Sequence, residues 1–243
     1  MAPRWQFPVA LVCGVVIAAA SAIVGASASS LGGVSSSGLA GFSFATTTGA
    51  PSVTAYENFT GTNGTAILNT TTDGGGFTWS ANLGTWTVQS NQARSTSVGS
   101  GYLLFNGSSS NGSVEAKISR NGNSTWDTYV VFNSDSTFSN TLLANWWHNA
   151  GGSIDLYKGV SGNYTPLVSV SGLYPGTIPS SAVVRLESPS TSVIKVYLDG
   201  VLKITYTLSA SEQTLLKNST HKYVGIGANA DSSSTFDNFH VDA

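Results

Sequence analysis

Residues 192–208, Ser-Val-Ile-Lys-Val-Tyr-Leu-Asp-Gly-Val-Leu-Lys-Ile-Thr-Tyr-Thr-Leu, spell out a β-hairpin. Two runs of β-branched and aromatic residues flank Asp199-Gly200, a pair that tolerates the two positive φ angles of a type I′ turn. Lys195, Tyr197, Asp199, Lys203, Thr205 and Thr207 alternate with Val196, Leu198, Leu202, Ile204 and Tyr206, which predicts one wet face and one buried face. Parallel sheets are covered on both faces, so a strand with this alternation belongs to an antiparallel sheet.

The pattern recurs along the chain. Candidate strands are Val53–Phe59, Thr85–Ser90, Tyr102–Phe105, Ser113–Arg120, Thr125–Asn133, Thr141–His148, Ser153–Lys158, Tyr164–Ser169, Ala182–Glu187, Lys222–Ala228 and Thr235–Val241. Turn signals such as Asn106-Gly107, Asn121-Gly122, Gly151-Gly152 and Ser161-Gly162 punctuate them. Ser209-Ala-Ser-Glu212 is a capping box ahead of Leu215 and Leu216 and predicts one helix of about two turns. The expected fold is all-β, an antiparallel two-sheet sandwich or jelly roll with one short helix, occupying 53–243. That span suits one core and is too short for two.

Residues 1–28 read differently. Met-Ala-Pro-Arg carries one positive charge, Val9 to Val24 is almost unbroken apolar sequence, and Ala26-Ser27-Ala28 fits the small-x-small cleavage rule of a secretory signal peptide. Val9 to Ala26 also meets the lower length limit of a membrane anchor. An apolar arm buried among the subunits of a virus particle is a third reading, and all three stay open. The sole cysteine, Cys13, lies in this run, so a chain cut after Ala28 has no disulfide, thiol nucleophile or cysteine metal site. Residues 29–52 are Ser-, Gly-, Ala- and Thr-rich without period and read as a linker or arm.

Charged residues make up only 9% of the chain and the net charge is -2, so hydroxyls and amides must supply solubility. Without a basic cluster there is no electrostatic footprint for nucleic acid, which is excluded as a partner.

Five segments taken in order carry a family resemblance. They are Ser113-Val-Glu-Ala-Lys-Ile118, Ile154-Asp-Leu-Tyr-Lys158, Val183-Val-Arg-Leu-Glu187, Val196-Tyr-Leu-Asp-Gly-Val201 and Phe236-Asp-Asn-Phe-His-Val241. From about Ala55 to Ala243 the chain resembles the concanavalin A-like lectin/glucanase superfamily, and more narrowly the laminin-G-like modules of secreted bacterial and phage virion proteins. The resemblance implies two stacked antiparallel sheets, one curving into a concave face where sugars bind. It also implies adjacent first and last strands, in keeping with the match of Glu57-Asn-Phe59 to Asp237-Asn-Phe239. Its members often hold a structural calcium ion near those strands, which would fall to Asp237; no other cofactor is expected. A solvated or turn-capping Asp237 competes with that role, since no run of alternating Asp/Asn ligands supports it.

Glycoside hydrolysis needs two carboxylates flanking the scissile bond. The glucanase branch carries them as Glu-x-Asp-x-x-Glu on one strand, and that spacing does not occur here. The twelve acids are dispersed, and Asp127 and Asp135 are separated by a turn-like Asn133-Ser134. His148, His221 and His240 stand near strand ends with no Gly-x-Ser-x-Gly elbow and are expected on the surface. A hydrolase built from acids on different strands remains a second alternative.

Binding has a candidate site. In Thr141-Leu-Leu-Ala-Asn-Trp-Trp-His148 neighbouring side chains point to opposite faces, so Trp146 and Trp147 cannot both enter the core. With Leu142, Ala144 and Trp146 inward, Asn145 and Trp147 share the other face, and Asp127 and Tyr129 on the preceding strand could join them. An indole beside a carboxamide suits a sugar, whose apolar face stacks while its hydroxyls bond the amide. Alternatively, a loop or a neighbouring subunit covers Trp147. Eight Asn-x-Ser/Thr sequons, at Asn58, Asn63, Asn69, Asn106, Asn111, Asn123, Asn163 and Asn218, are glycan acceptors in a eukaryotic secretory pathway and by-products of composition elsewhere.

The expected protein is a non-catalytic carbohydrate-binding or adhesion module, secreted or on a virion surface, with a cell-surface glycan as partner. The first alternative is a structural virion protein, a tail or capsid-decoration component anchored to neighbouring subunits. A membrane partner follows only if the N-terminal segment stays uncleaved.

Overall fold

Short β-branched and aromatic runs broken by Gly and Asn turns produce fifteen strands and one helix among the residues that the computed structural model describes: 53–96, 101–107, 111–120, 127–148, 151–229 and 233–242. The apolar segment 1–28 with Cys13, the arm 29–52 and the Asn123 sequon lie outside them. In chain order come β1 (Val53–Glu57), β2 (Ala81–Leu83), β3 (Trp86–Val88), β4 (Ala93–Ser95), β5 (Gly101–Asn106), β6 (Gly112–Ser119) and β7 (Thr128–Ser134). Then follow β8 (Thr141–Trp147), β9 (Ser153–Val160), β10 (Asn163–Ser171), β11 (Ser181–Ser188), β12 (Val193–Leu198) and β13 (Val201–Thr207). The helix α1 (Ala210–Leu216), β14 (Tyr223–Ala228) and β15 (Thr235–Asp242) complete the chain.

Two antiparallel sheets stack. One has the order β13-β12-β11-β6-β15-β4-β3, with β1 also on β15; the other runs β10-β9-β8-β7-β14-β5-β2. First and last strands do lie side by side, with Glu57 opposite Phe239. Trp79, Trp86, Phe105, Phe132, Trp146, Phe236 and Phe239 fill the space between the sheets. Trp79 is central there, 4.9 Å from Phe105 and 5.3 Å from Phe239 between ring centres.

The hairpin turns as expected, with φ of 50° at Asp199 and 75° at Gly200. Its second strand departs from simple alternation. Val196 pairs with Ile204 but Tyr197 pairs with Leu202, so Lys203 is the extra residue of a bulge. Leu202, expected inward, is therefore 47% exposed, while Ile204 stays buried. The capping box forms: Ser209 Oγ accepts the N–H of Glu212, and Glu212 Oε2 accepts the N–H of Ser209. Lys158 Nζ donates to Glu212 Oε1 at 2.6 Å, which ties the helix to β9.

Burial along the strands locates what is unusual. On β11 buried and half-buried residues alternate, as one wet face requires. On β7 all seven residues, Thr-Tyr-Val-Val-Phe-Asn-Ser, are buried. Something therefore covers the outer face of the seven-stranded sheet as well as its inner one.

Candidate functional site

The cover is a second apolar cluster, separate from the core, made of Leu104, Tyr129, Val131, Phe138 and Leu143 with Tyr102, Tyr157 and Tyr223 packed against it. Strand periodicity produces it: Val130, Phe132, Leu142, Ala144 and Trp146 point into the sandwich, while Tyr129, Val131 and Leu143 point out. One row crosses the outer face through successive partners Tyr102, Gly227, Tyr129, Asn145, Asp155 and Ser169. A Cβ at Gly227 would sit 2.1 Å from the Tyr129 ring. The missing side chain lets that ring lie across β14, and its hydroxyl donates to the carbonyl of Gly101 on β5 at 3.1 Å. Burial raises the Tyr129 pKa, so this hydroxyl remains a donor.

Above this floor the β7–β8 turn is built around Asp135. Its Oδ1 accepts the N–H of Thr137 and of Ser139 and the hydroxyl of Thr137; its Oδ2 accepts the N–H and the side-chain amide of Asn140. These bonds outweigh partial burial and hold the Asp135 pKa below the ordinary carboxylate value. They force Phe138 to φ of 59°, an unfavourable conformation for a bulky residue, and place its ring over the sheet. There it stacks on Tyr129 at 5.7 Å and 9°, and meets Tyr102 at 4.8 Å and Tyr164 at 5.4 Å. Tyr164 closes the clamp by donating its hydroxyl to the Phe138 carbonyl at 2.6 Å. His221, expected on the surface, is buried with its Nε2 3.9 Å from Asp135 Oδ2, and burial lowers its pKa. His148 is half-buried against the Pro179 carbonyl, and His240 is half-buried with its Nε2 3.6 Å from Glu115 Oε1.

Between turn and sheet lies a cavity of about 480 Å³. Leu83, Tyr102, Tyr129, Phe138, Leu143, Tyr157 and Tyr164 give it apolar and aromatic walls; Thr137, Ser139, Gly162, Asp127, Asn145 and Asn229 supply the rest. Its size falls in the roughly 300–1,000 Å³ range of small-molecule sites. At one end Asp127 is gripped by two carboxamides: Asn145 Nδ2 donates to Oδ1 at 3.0 Å and Asn229 Nδ2 reaches Oδ2 at 3.5 Å. Next to Asn145, the buried Asp155 accepts the Ser153 hydroxyl at 3.1 Å, and burial raises its pKa.

The structure thus brings Asp127, Tyr129 and Asn145 together in one cavity and leaves Trp147 out of its lining. Trp146 is buried and Trp147 takes the opposite face, as the alternation requires, but Trp147 stands one row further along β8, opposite Ser153, and is half-buried. Tyr102, Phe138, Tyr157, Tyr164 and Asn229 were not singled out by sequence reasoning. The glycine alternation of Val224-Gly-Ile-Gly-Ala228 was the available signal, because glycines on one face of a strand mark close approach by another group. Asp237 Oδ1 accepts the N–H of Asn238 at 2.8 Å, the local cap weighed against a calcium role. Among the described residues no three His, Cys, Asp or Glu side chains group as cation ligands. Six sequon asparagines (58, 63, 69, 106, 111 and 163) are exposed and Asn218 is half-buried.

No family model and no curated protein matches the chain by sequence. Solved structures match it by shape. The carbohydrate binding module CBM66 from Bacillus subtilis aligns with 79% of this chain and 98% of its own, at TM-score 0.50 and 18% identity. The GH43 protein BlXynB from Bacillus licheniformis aligns with 78% of this chain at TM-score 0.50 and 13% identity, but over only 39% of its own length. Likeness at such identities establishes architecture alone. With its first and last described strands paired and its two antiparallel sheets stacked, the chain has a jelly-roll sandwich fold, the architecture it shares with these structures.

Proposed function

We propose that the protein is a non-catalytic glycan-binding module and that the cavity on the outer face of the seven-stranded sheet is its site. The observation that carries this reading is the juxtaposition of an aromatic wall with the Asp127–Asn145–Asn229 network in one open cavity. Tyr157 and Tyr164 offer ring surface to the apolar face of a pyranose, and the carboxylate and carboxamides offer acceptors and donors to its hydroxyls. Asp127 is the one carboxylate in the lining among the described residues. Hydrolysis with two opposed carboxylates has no second acid there among the described residues, which favours binding over cleavage. The module acts outside the cell, exported by residues 1–28.

The test is an oligosaccharide array followed by calorimetric titration of the best hit. Tyr157→Ala removes a wall and is expected to weaken binding at least about tenfold, the loss of one good stacking contact. Trp147→Ala, outside the cavity, is expected to leave affinity within about twofold. An unchanged Tyr157→Ala affinity, or a loss in Trp147→Ala alone, overturns the assignment of the site.

A further inference from the structure

We infer that the cavity selects a cationic glycan, one carrying unacetylated amino groups, over neutral and acidic glycans; this deepens the glycan reading and rests on it. Five aromatic rings line the cavity, and among the described residues Asp127 is the only charged one in its lining, which holds no Lys, Arg or His. An acidic sugar would be desolvated against that carboxylate with no counter-charge, an unfavourable like-charge contact.

The polar end offers acceptors beyond the bonds already made. A carboxylate cannot donate, so the amides of Asn145 and Asn229 must turn their N–H groups towards Asp127, as the 3.0 Å and 3.5 Å contacts record. That orientation leaves Asn145 Oδ1 buried with no hydrogen-bond partner among the described residues, on a side chain that lines the cavity and whose residue is 2% exposed. A buried acceptor without a donor is costly, and one set beside a carboxylate calls for a donor-rich group. An ammonium brings three donors and a positive charge, whereas a hydroxyl brings one donor and none.

The rings complete the match. Burial is the main reason that Tyr129 and Tyr157 hold their protons above the ordinary tyrosine value; Tyr164 and then Asp127 add to it at Tyr129, and Asp155 and then Asp127 at Tyr157, so both rings feel the negative charge at this end of the cavity. Electron-rich ring faces around a cation are the arrangement that binds alkylammonium groups.

Calorimetric titration of the full chain with four probes at mildly acidic pH and low salt tests this: β-1,4-linked glucosamine tetramer, its N-acetylated counterpart, cellotetraose and tetragalacturonate. The glucosamine tetramer is expected to bind at least roughly tenfold more tightly than either neutral oligomer, with tetragalacturonate weakest. That preference should shrink as salt is raised and collapse in Asp127→Asn, whose folding is checked by its melting curve. If that variant does not fold, the ratios and salt dependence of the wild-type chain decide. A neutral or acidic oligomer binding as well as the amino oligomer overturns cationic selection and leaves the glycan reading standing. Failure of all four probes overturns both, and tetramethylammonium binding as tightly as the amino oligomer overturns the requirement for a sugar.

Discussion

Gly227 is the position at which the floor of the cavity is decided. Its outward side is empty so that the Tyr129 ring can cross β14 and reach Gly101, and a Cβ there would lie 2.1 Å from that ring. In Gly227→Ala the ring must leave. The variant loses a buried hydroxyl bond, about 0.5–1.5 kcal/mol, and carries an overpacking strain of about 1–3 kcal/mol. The gain from a stiffer unfolded chain returns up to about 1 kcal/mol. The net is a destabilisation of about 2 kcal/mol, or roughly 4–8 °C in Tm for a domain of this size. Urea unfolding of Gly227→Ala, Tyr129→Ala and the double variant measures it. Once the ring is gone the added methyl has nothing to strike, so the double variant should be no less stable than Tyr129→Ala alone, a coupling of about 2 kcal/mol. Additive costs, or a Gly227→Ala midpoint equal to wild type, would refute the argument that the glycine exists to seat the ring.

Three further outcomes follow from the structure. Burial holds the Lys217 ammonium, which lies over the Phe132 ring and contacts the Ser188 hydroxyl, down to about 7; between there and the ordinary lysine value the unfolded chain binds a proton that the folded chain does not, so stability rises with pH across that window. Urea midpoints should climb from neutral to mildly alkaline pH in the wild type and stay level in Lys217→Met; a level wild-type curve contradicts the burial argument. Glu212 is lowered to about 2: hydrogen bonds from Lys158 and Ser209 outweigh its burial, so its contribution is complete above the ordinary glutamate value and is lost as pH falls towards 2. Glu212→Gln should cost about 1–2 kcal/mol at neutral pH and flatten the acid limb of the stability curve, and an unaltered acid limb would count against it. Asp135→Ala removes five hydrogen bonds to the β7–β8 turn; a loss of about 2–3 kcal/mol, with faster amide exchange across 135–140, is expected, and unchanged exchange would show that the turn holds itself.

What could be read from the sequence was what local periodicity controls. The Asp199-Gly200 turn, the capping box at Ser209 and the opposed faces of Trp146 and Trp147 each depend on residues within one or two turns of each other, and each formed. Glu57-Asn-Phe59 and Asp237-Asn-Phe239 carried a long-range pairing through the likeness of the two segments. The bulge at Lys203 was not legible, because alternation alone does not reveal a residue that drops out of the ladder. The cavity was half legible: Asn145, Tyr129 and Asp127 follow from strand alternation, but Phe138 arrives on a turn held by the Asp135 hydrogen bonds, and Tyr164 reaches it from the start of β10 by bonding the Phe138 carbonyl. Trp147 shares the face of Asn145, yet lies one row away along the strand. Alternation specifies the face of a sheet and leaves open where along the strand the walls will rise.

Chemical-shift mapping of the full chain, titrated with the oligosaccharide that binds best, locates the glycan site on the protein. Perturbations are expected to concentrate at Tyr129, Leu143, Asn145, Tyr157 and Tyr164, with the exposed Val201–Leu202 tip of the other sheet unmoved. Perturbations centred on the eight-stranded sheet or the hairpin, with those five resonances fixed, would contradict that location.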